Sequence, residues 1–209
     1  MDVTPLCKIM TKNGSDKGNG IHNYTIEYFK QFNDQKLEIK NVFELGIGTT
    51  NPKIPANMGQ GGTPSASLRG WREYFPNATI YGADIDETIL KDEERIKTFY
   101  VDQRDKISIE EMWNQESLKN ITFDLIIDDG EHNSEANISF LTSSLDKLNK
   151  NGVYYIEDIH NNHITITKYI KGLDILRETI DLNYEIINWP LSKNKSNNCL
   201  IKITHITAK

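Results

Sequence analysis

Cysteine is scarce: Cys7 and Cys199 are the only two in 209 residues. Two isolated thiols make neither a disulfide framework nor a thiolate metal cluster, so the expected setting is reducing and cytoplasmic. Long apolar runs are also missing. No stretch approaches the roughly 20 residues that span a bilayer. The opening Met1-Asp2-Val3-Thr4-Pro5 lacks the basic-then-apolar order of a secretory leader. Positive charge is in deficit, with 24 Lys and Arg against 30 Asp and Glu, a net charge of -6. That balance excludes a protein that grips nucleic acid through a general basic face, though it permits a local basic pocket.

What is present is ordinary for a globular chain, with 26% charged and 37% hydrophobic residues. The length suits one compact domain with a small N-terminal extension. No internal repeat or low-complexity segment occurs. Short continuous apolar runs alternate with helical stretches, the pattern of a parallel sheet covered on both faces. Strands are expected at 39–45, 78–83, 96–101, 123–127 and 153–156, and helices at 23–32, 67–74, 108–113 and 134–148. Residues 185–189 and 198–203 flank a polar loop and read as an antiparallel hairpin closing the sheet.

The first strand ends in Glu44-x-Gly46-x-Gly48. Glycines one residue apart after an apolar run let a turn pass close to a ligand. The carboxylate argues against a phosphate there and for a cationic or hydroxyl-bearing group. Thr49-Thr50-Asn51-Pro52 follows, so the third glycine of a dinucleotide fingerprint is missing, as is the Gly-Lys-Ser/Thr of a phosphate loop. Each of the five strands ends on acid: Glu44, Asp84, Asp102, Asp128-Asp129 and Glu157-Asp158. Helix capping accounts for one or two of these. It strains to account for both adjacent pairs, and ligands in open α/β sheets bind beyond the carboxyl ends of strands. Asp84 is placed to accept from both hydroxyls of a ribose. The gap from the glycines is about twice the usual ~20 residues, and residues 51–67 are read as a loop inserted above the site. Asp102-Gln103 either recognises an adenine amine or caps a helix.

In order along the chain stand Glu44-x-Gly46-x-Gly48, Ala66-Ser67-Leu68-Arg69-x-Trp71, Tyr81-Gly82-x-Asp84-Ile85, Asp124-x-x-Ile127-Asp128-Asp129-Gly130-x-His132 and Tyr155-Ile156-Glu157-Asp158. The set resembles class I S-adenosylmethionine methyltransferases, and among them the metal-dependent sugar O-methyltransferases of macrolide pathways of the mycinamicin type. It is similar also to methyltransferases of bacterial capsule and surface-polysaccharide gene sets. The likeness covers roughly residues 10 to 160. It implies an α/β, doubly wound Rossmann-like sheet, mostly parallel with the seventh strand antiparallel, and a short N-terminal lid. The domain expectation is 1–35 for the lid and helical segment and 36–209 for the methyltransferase domain.

Lys12-x-Gly14-Ser15-Asp16-Lys17-Gly18 with His22-x-Tyr24 shares this resemblance. It implies a lid over the methionine end of the cofactor, with Ser15 and Lys17 in contact; the alternative is a flexible terminus. Arg69 serves the cofactor carboxylate or pairs with an acid. The cofactor set is thus Glu44, Gly46, Gly48, Asp84, Asp102, Gln103, Asp128, Lys17, Ser15 and Arg69. The family's metal positions fall on Asp129, Glu157 and Asp158, and hard oxygen ligands favour Mg²⁺. Asp129 and His132 form the catalytic pair, with His132 as base. His160 and His163 are alternatives for touching acceptor or metal.

The implied reaction is O-methylation of a sugar or polysaccharide-precursor hydroxyl, the acceptor being a sugar, sugar nucleotide or glycan precursor. The rivals are methylation of an amine or phosphate-type oxygen on a small metabolite, a non-catalytic methyltransferase-like binding subunit and, more weakly, a nicotinamide oxidoreductase. No nucleic-acid or membrane partner is expected, and homo-oligomerisation stays open.

Overall fold

A computed structural model describes residues 3–18, 22–188 and 197–205. Seven strands form one sheet: β1 (Asn41–Leu45), β2 (Thr79–Asp84), β3 (Ile96–Tyr100), β4 (Phe123–Asp128), β5 (Leu148–His160), β6 (Leu182–Asn188) and β7 (Asn197–His205). Their order is β3-β2-β1-β4-β5-β7-β6. The first five strands run parallel, and β7 is antiparallel to both of its neighbours. The chain winds outward from β1 to β3, then restarts beside β1 with β4. The crevice for a ligand therefore opens where β1 and β4 end side by side.

Among the described residues, six α-helices cover the sheet: α1 (Pro5–Asn13), α2 (Thr25–Phe32), α3 (Ala66–Tyr74), α4 (Lys106–Trp113), α5 (Ser134–Ser144) and α6 (His163–Arg177). Alternate strand residues serve opposite faces, as the two-residue period of a strand requires. Phe43, Ile126 and Tyr154 face a core with Trp113, Phe140 and Tyr169 of α4, α5 and α6. Val42, Leu125 and Tyr155 face a second core with Leu6, Tyr28 and Trp71 of α1, α2 and α3. Continuous apolar strands are the consequence of burial on both sides.

Several expectations are corrected here. Residues 5–13, within the stretch read as a tail or lid, form α1. Thr4 caps it by accepting from the Cys7 amide at 3.1 Å, Pro5 opens it, and Gly14 closes it at φ 88. Residues 163–168, with His163 among the alternatives for touching acceptor or metal, belong to α6. Strand β5 is much longer than 153–156, so Glu157 and Asp158 lie within it, not past it. The polar loop at 189–196, with Trp189, lies outside the described residues.

Candidate active site

A cavity of about 620 Å³ opens over the carboxyl ends of β1, β2 and β4. Gly46 and Gly48 form its floor with φ of 81° and 88°. A Cβ on Gly46 would stand 2.0 Å from the carbonyl oxygen of Asp129, and one on Gly48 2.3 Å from Met58 Sδ. Gly46 is thus required by the backbone of the β4 turn, and Gly48 by its left-handed φ. Glu44 is fully buried, and its Oε2 accepts from Trp71 Nε1 at 2.6 Å. Its Oε1 has no hydrogen-bond partner and lies 3.4 Å from Lys17 Nζ. Burial raises the Glu44 carboxyl above its usual range, against the pull of Lys17.

Asp84 lines the same cavity. Its oxygens accept from the Ile47 amide at 2.9 Å and the Asp86 amide at 3.0 Å, which fixes the carboxylate and leaves lone pairs for a diol. Asp102 also lines the cavity and accepts from the Arg104 amide at 2.9 Å. Gln103 lines the cavity too, and it donates to both oxygens of Asp128, at 2.8 and 2.9 Å. Asp128 is fully buried and does not line the cavity, contrary to its expected place beside a cofactor. Burial pushes it up to about 6, against the nearby Asn137 amide and hydrogen bonds from Gly130 and Gln103. Asn137 is close enough to favour the ionised form, although its Nδ2 meets no acceptor in good geometry. Of the two roles open to Arg69, the structure takes the second: its guanidinium binds Glu93 at 2.7 and 2.9 Å, away from the cavity.

The strand-end acids of β4 and β5 meet the N-terminal segment. Three steps on β5, from Ile156 to Ile159, match two on β7, from Ile201 to Cys199. This bulge holds Glu157 and Asp158, with Asp158 at φ 55. A bulge re-aims side chains, so the adjacent acids part company. Glu157, 1% exposed, takes hydrogen bonds from Lys17 and Tyr28. Asp158 opens into the cavity and accepts from Tyr24 at 2.7 Å. Lys17 bonds Asp129 as well as Glu157. His132, at φ 57, sets Nε2 3.2 Å from Asp129 Oδ1 and 3.7 Å from Asp158 Oδ2. His22 Nδ1 lies 3.0 Å from Asp158 Oδ1, off the line of a good hydrogen bond. Ser15 borders the cavity and accepts from the Lys17 amide at 3.3 Å.

Charge explains the titration of this cluster. Burial disfavours the His132 imidazolium, but the hydrogen bond and charge of Asp129, with Asp158 and Asp128, outweigh it and raise His132 to about 9. Burial likewise opposes the Asp129 carboxylate, yet Lys17 and His132 hold it well below the ordinary range. Glu157 goes the other way: burial, with the charges of Asp129 and Glu44, raises it despite Lys17.

Asp129, His132 and Asp158 offer one ligand atom each, all within 4.8 Å of one another. The expected trio of Asp129, Glu157 and Asp158 is therefore split, because Glu157 is turned to Lys17 and Tyr28. His160 and His163 are exposed and absent from the cavity lining. Tyr28, Met58 and the buried contact of His22 were not legible beforehand. Tyr28 is also a core residue.

No family model matches the chain. Among solved structures, the MycE methyltransferase of the mycinamycin pathway, in complex with Mg and SAH, superposes with a TM-score of 0.73 at 21% identity, covering 98% of this chain and 55% of that one. An O-methyltransferase from Bacillus cereus in complex with SAH gives 0.57 at 11% identity, covering 96% and 90%. The chain has the class I methyltransferase fold. In sequence this methyltransferase-fold chain resembles sugar O-methyltransferases. It is 32% identical over 162 residues to the 8-demethyl-8-alpha-L-rhamnosyl tetracenomycin-C 2'-O-methyltransferase of Streptomyces olivaceus, covering 78% of this chain and 39% of that protein. It is 32% identical over 155 residues to the mycinamicin VI 2''-O-methyltransferase of Micromonospora griseorubida, covering 74% and 36%. The chain thus spans well under half the length of these relatives. Among the described residues, no helix is long and apolar enough to cross a membrane.

Proposed function

We propose that the chain is an S-adenosylmethionine-dependent O-methyltransferase, metal-assisted, acting on a sugar hydroxyl. The observation that carries this reading is the excess of negative charge at the strand ends. Glu44, Asp129 and Glu157 set three carboxylates around one ammonium, Lys17, and Asp158 stands beside them against His22 and His132. Such a cluster calls for further cations. Glu44 Oε1, which takes no hydrogen bond and faces Lys17 at 3.4 Å, suits an ammonium, and the fixed Asp84 carboxylate suits a ribose, so the residues fit the cofactor. Ser15, Lys17, Asp102 and the Gly46–Gly48 turn complete that side of the cavity.

Asp129 and Asp158 would hold a divalent ion, with the His132 imidazole beside them; the oxygen-rich donor set favours Mg²⁺. Glu157 joins them only if Lys17 and Tyr28 release it. Such an ion supplies a Lewis acid for the acceptor hydroxyl. The cofactor supplies a methyl carbon made electrophilic by its sulfonium. The remaining work belongs to the chain. The cavity walls orient the acceptor oxygen behind that carbon. With the cofactor bound, its methyl would pass to the acceptor oxygen and its sulfonium would leave as a neutral thioether, while His132, freed from Asp129, would take the hydroxyl proton. Because Asp129 and Asp158 hold His132 near 9, it is a base at neutral pH only when another cation shares those carboxylates.

Residues 1–35 act in this reading as a lid and helical segment on a methyltransferase domain of residues 36–209. The acceptor is a glycoside, sugar nucleotide or polysaccharide precursor of the kind made for bacterial capsules, methylated in the cytoplasm. Calorimetric titration of S-adenosylhomocysteine with EDTA and with Mg²⁺, followed by transfer of labelled methyl to rhamnosides and sugar nucleotides, tests it. Folded protein that binds no S-adenosylhomocysteine under either condition refutes it.

A further inference from the structure

Gln103 stands just past β3, between the buried Asp128 and the turn that carries Asp129 and His132. Its Nε2 donates to both Asp128 oxygens, and its Oε1 accepts from the Glu131 amide at 2.8 Å. A neutral carboxamide head is suited to both tasks at once, giving to a carboxylate while taking from an N–H. Gln103 is 6% exposed. The fit is close: a Cβ on Gly130 would stand 2.2 Å from Gln103 Oε1. The turn needs such a hold, because His132 has a left-handed backbone at φ 57. A non-glycine residue keeps that conformation only where its surroundings over-determine it. Backbone ties do so here, beside the Arg104 guanidinium on the Glu131 carboxylate. Asp129 donates its amide to Leu45 on β1 at 2.9 Å, and Glu131 donates to Gln103. The anchor extends inward, since Asp128 also takes the Gly130 amide at 3.3 Å and the Tyr154 hydroxyl at 3.4 Å.

We infer that Gln103 is a positioning residue. It clamps the β4 turn to the buried Asp128, so that Asp129 and His132 project into the cavity, and it does not read the cofactor's adenine. The effect on metal affinity rests on the metal-assisted reading above; the clamp itself does not.

The test uses the full chain, Mn²⁺ as the metal probe followed by electron paramagnetic resonance, and S-adenosylhomocysteine followed by calorimetry. Gln103→Glu turns a second carboxyl toward Asp128 and breaks the clamp. Mn²⁺ affinity is expected to fall by about tenfold or more, as for other residues that hold a ligand from behind, while S-adenosylhomocysteine affinity stays within about threefold. Adding Asp128→Asn reverses the donor and acceptor: the new amide at 128 gives to the new carboxylate at 103. This swap is expected to recover most of the Mn²⁺ affinity. A tenfold loss of S-adenosylhomocysteine affinity with Mn²⁺ binding unchanged would make Gln103 a cofactor contact and overturn the inference. So would a swap variant that melts like the wild type yet still binds Mn²⁺ poorly. If Gln103→Glu does not fold, the swap alone decides by the same two readings. If the wild type binds no Mn²⁺, the metal reading fails separately, and hydrogen exchange at the Glu131 amide decides the clamp. Exchange at least tenfold faster in Gln103→Glu, or in Gln103→Met should the former not fold, supports it, and unchanged exchange overturns it.

Discussion

Tyr24 donates its hydroxyl to Asp158 Oδ1 at 2.7 Å, across 134 residues of chain. With Lys17 on Asp129 and Glu157, and Tyr28 on Glu157, it fastens the N-terminal segment to the strand ends that bear the acids. The site is therefore shared between two distant stretches of sequence, and changes in either are felt in the other.

Replacing the proposed base separates chemistry from binding. His132→Ala is expected to lower kcat by about 10²–10⁴, the span for loss of a general base. Affinity for S-adenosylhomocysteine should stay within a few fold in calorimetry. Undiminished turnover would remove His132 from that role.

Lys17 is buried among the carboxylates of Glu44, Asp129 and Glu157, which repel one another without it, so its loss should be costly in the absence of added cations. Breaking a buried ion pair from one side costs about 3–5 kcal/mol. In EDTA, Lys17→Met should lower the urea midpoint markedly, and Mg²⁺ should restore part of the difference. A variant as stable as the wild type in EDTA would contradict the buried-charge account.

At Gly46 both backbone and space forbid a side chain. Gly46→Ala should lose about 1–3 kcal/mol from the left-handed φ alone, and the contact with the Asp129 carbonyl adds to it. Denaturant unfolding measures the loss. A neutral result would mean that the β4 turn yields easily.

Acid sensitivity should arise at Glu93. The Arg69 hydrogen bond, against a smaller opposing effect of burial, and the charge of Arg72 hold its carboxyl below the usual 4.5. A depressed folded value contributes stability that is present above about 4.5 and lost as pH falls through the folded value. Glu93→Gln should thus lower the melting temperature near neutrality and narrow its gap to the wild type as pH falls below 4.5. A gap independent of pH would rule out this linkage.

The sequence by itself determined the strand order of chemistry: apolar runs ending in Glu44, Asp84, Asp102, Asp128-Asp129 and Glu157-Asp158, and the glycines of the first turn. These are local properties, set by run length, period and the freedom of glycine, so they can be read without a partner. The cap at Thr4-Pro5 is equally local, set by a hydroxyl and a proline ring at the start of α1. Tertiary structure alone decided the rest. Pairing with β7 placed a bulge at Glu157-Asp158 and sent two neighbouring acids to different partners. Packing of α1 and α2 on the sheet delivered Lys17, Tyr24 and Tyr28 to those acids. The proximity of the β3 and β4 ends turned Gln103 toward Asp128 and the Glu131 amide. Each outcome depends on which distant groups share a desolvated space, where an unpaired charge is expensive, and no local pattern carries that information.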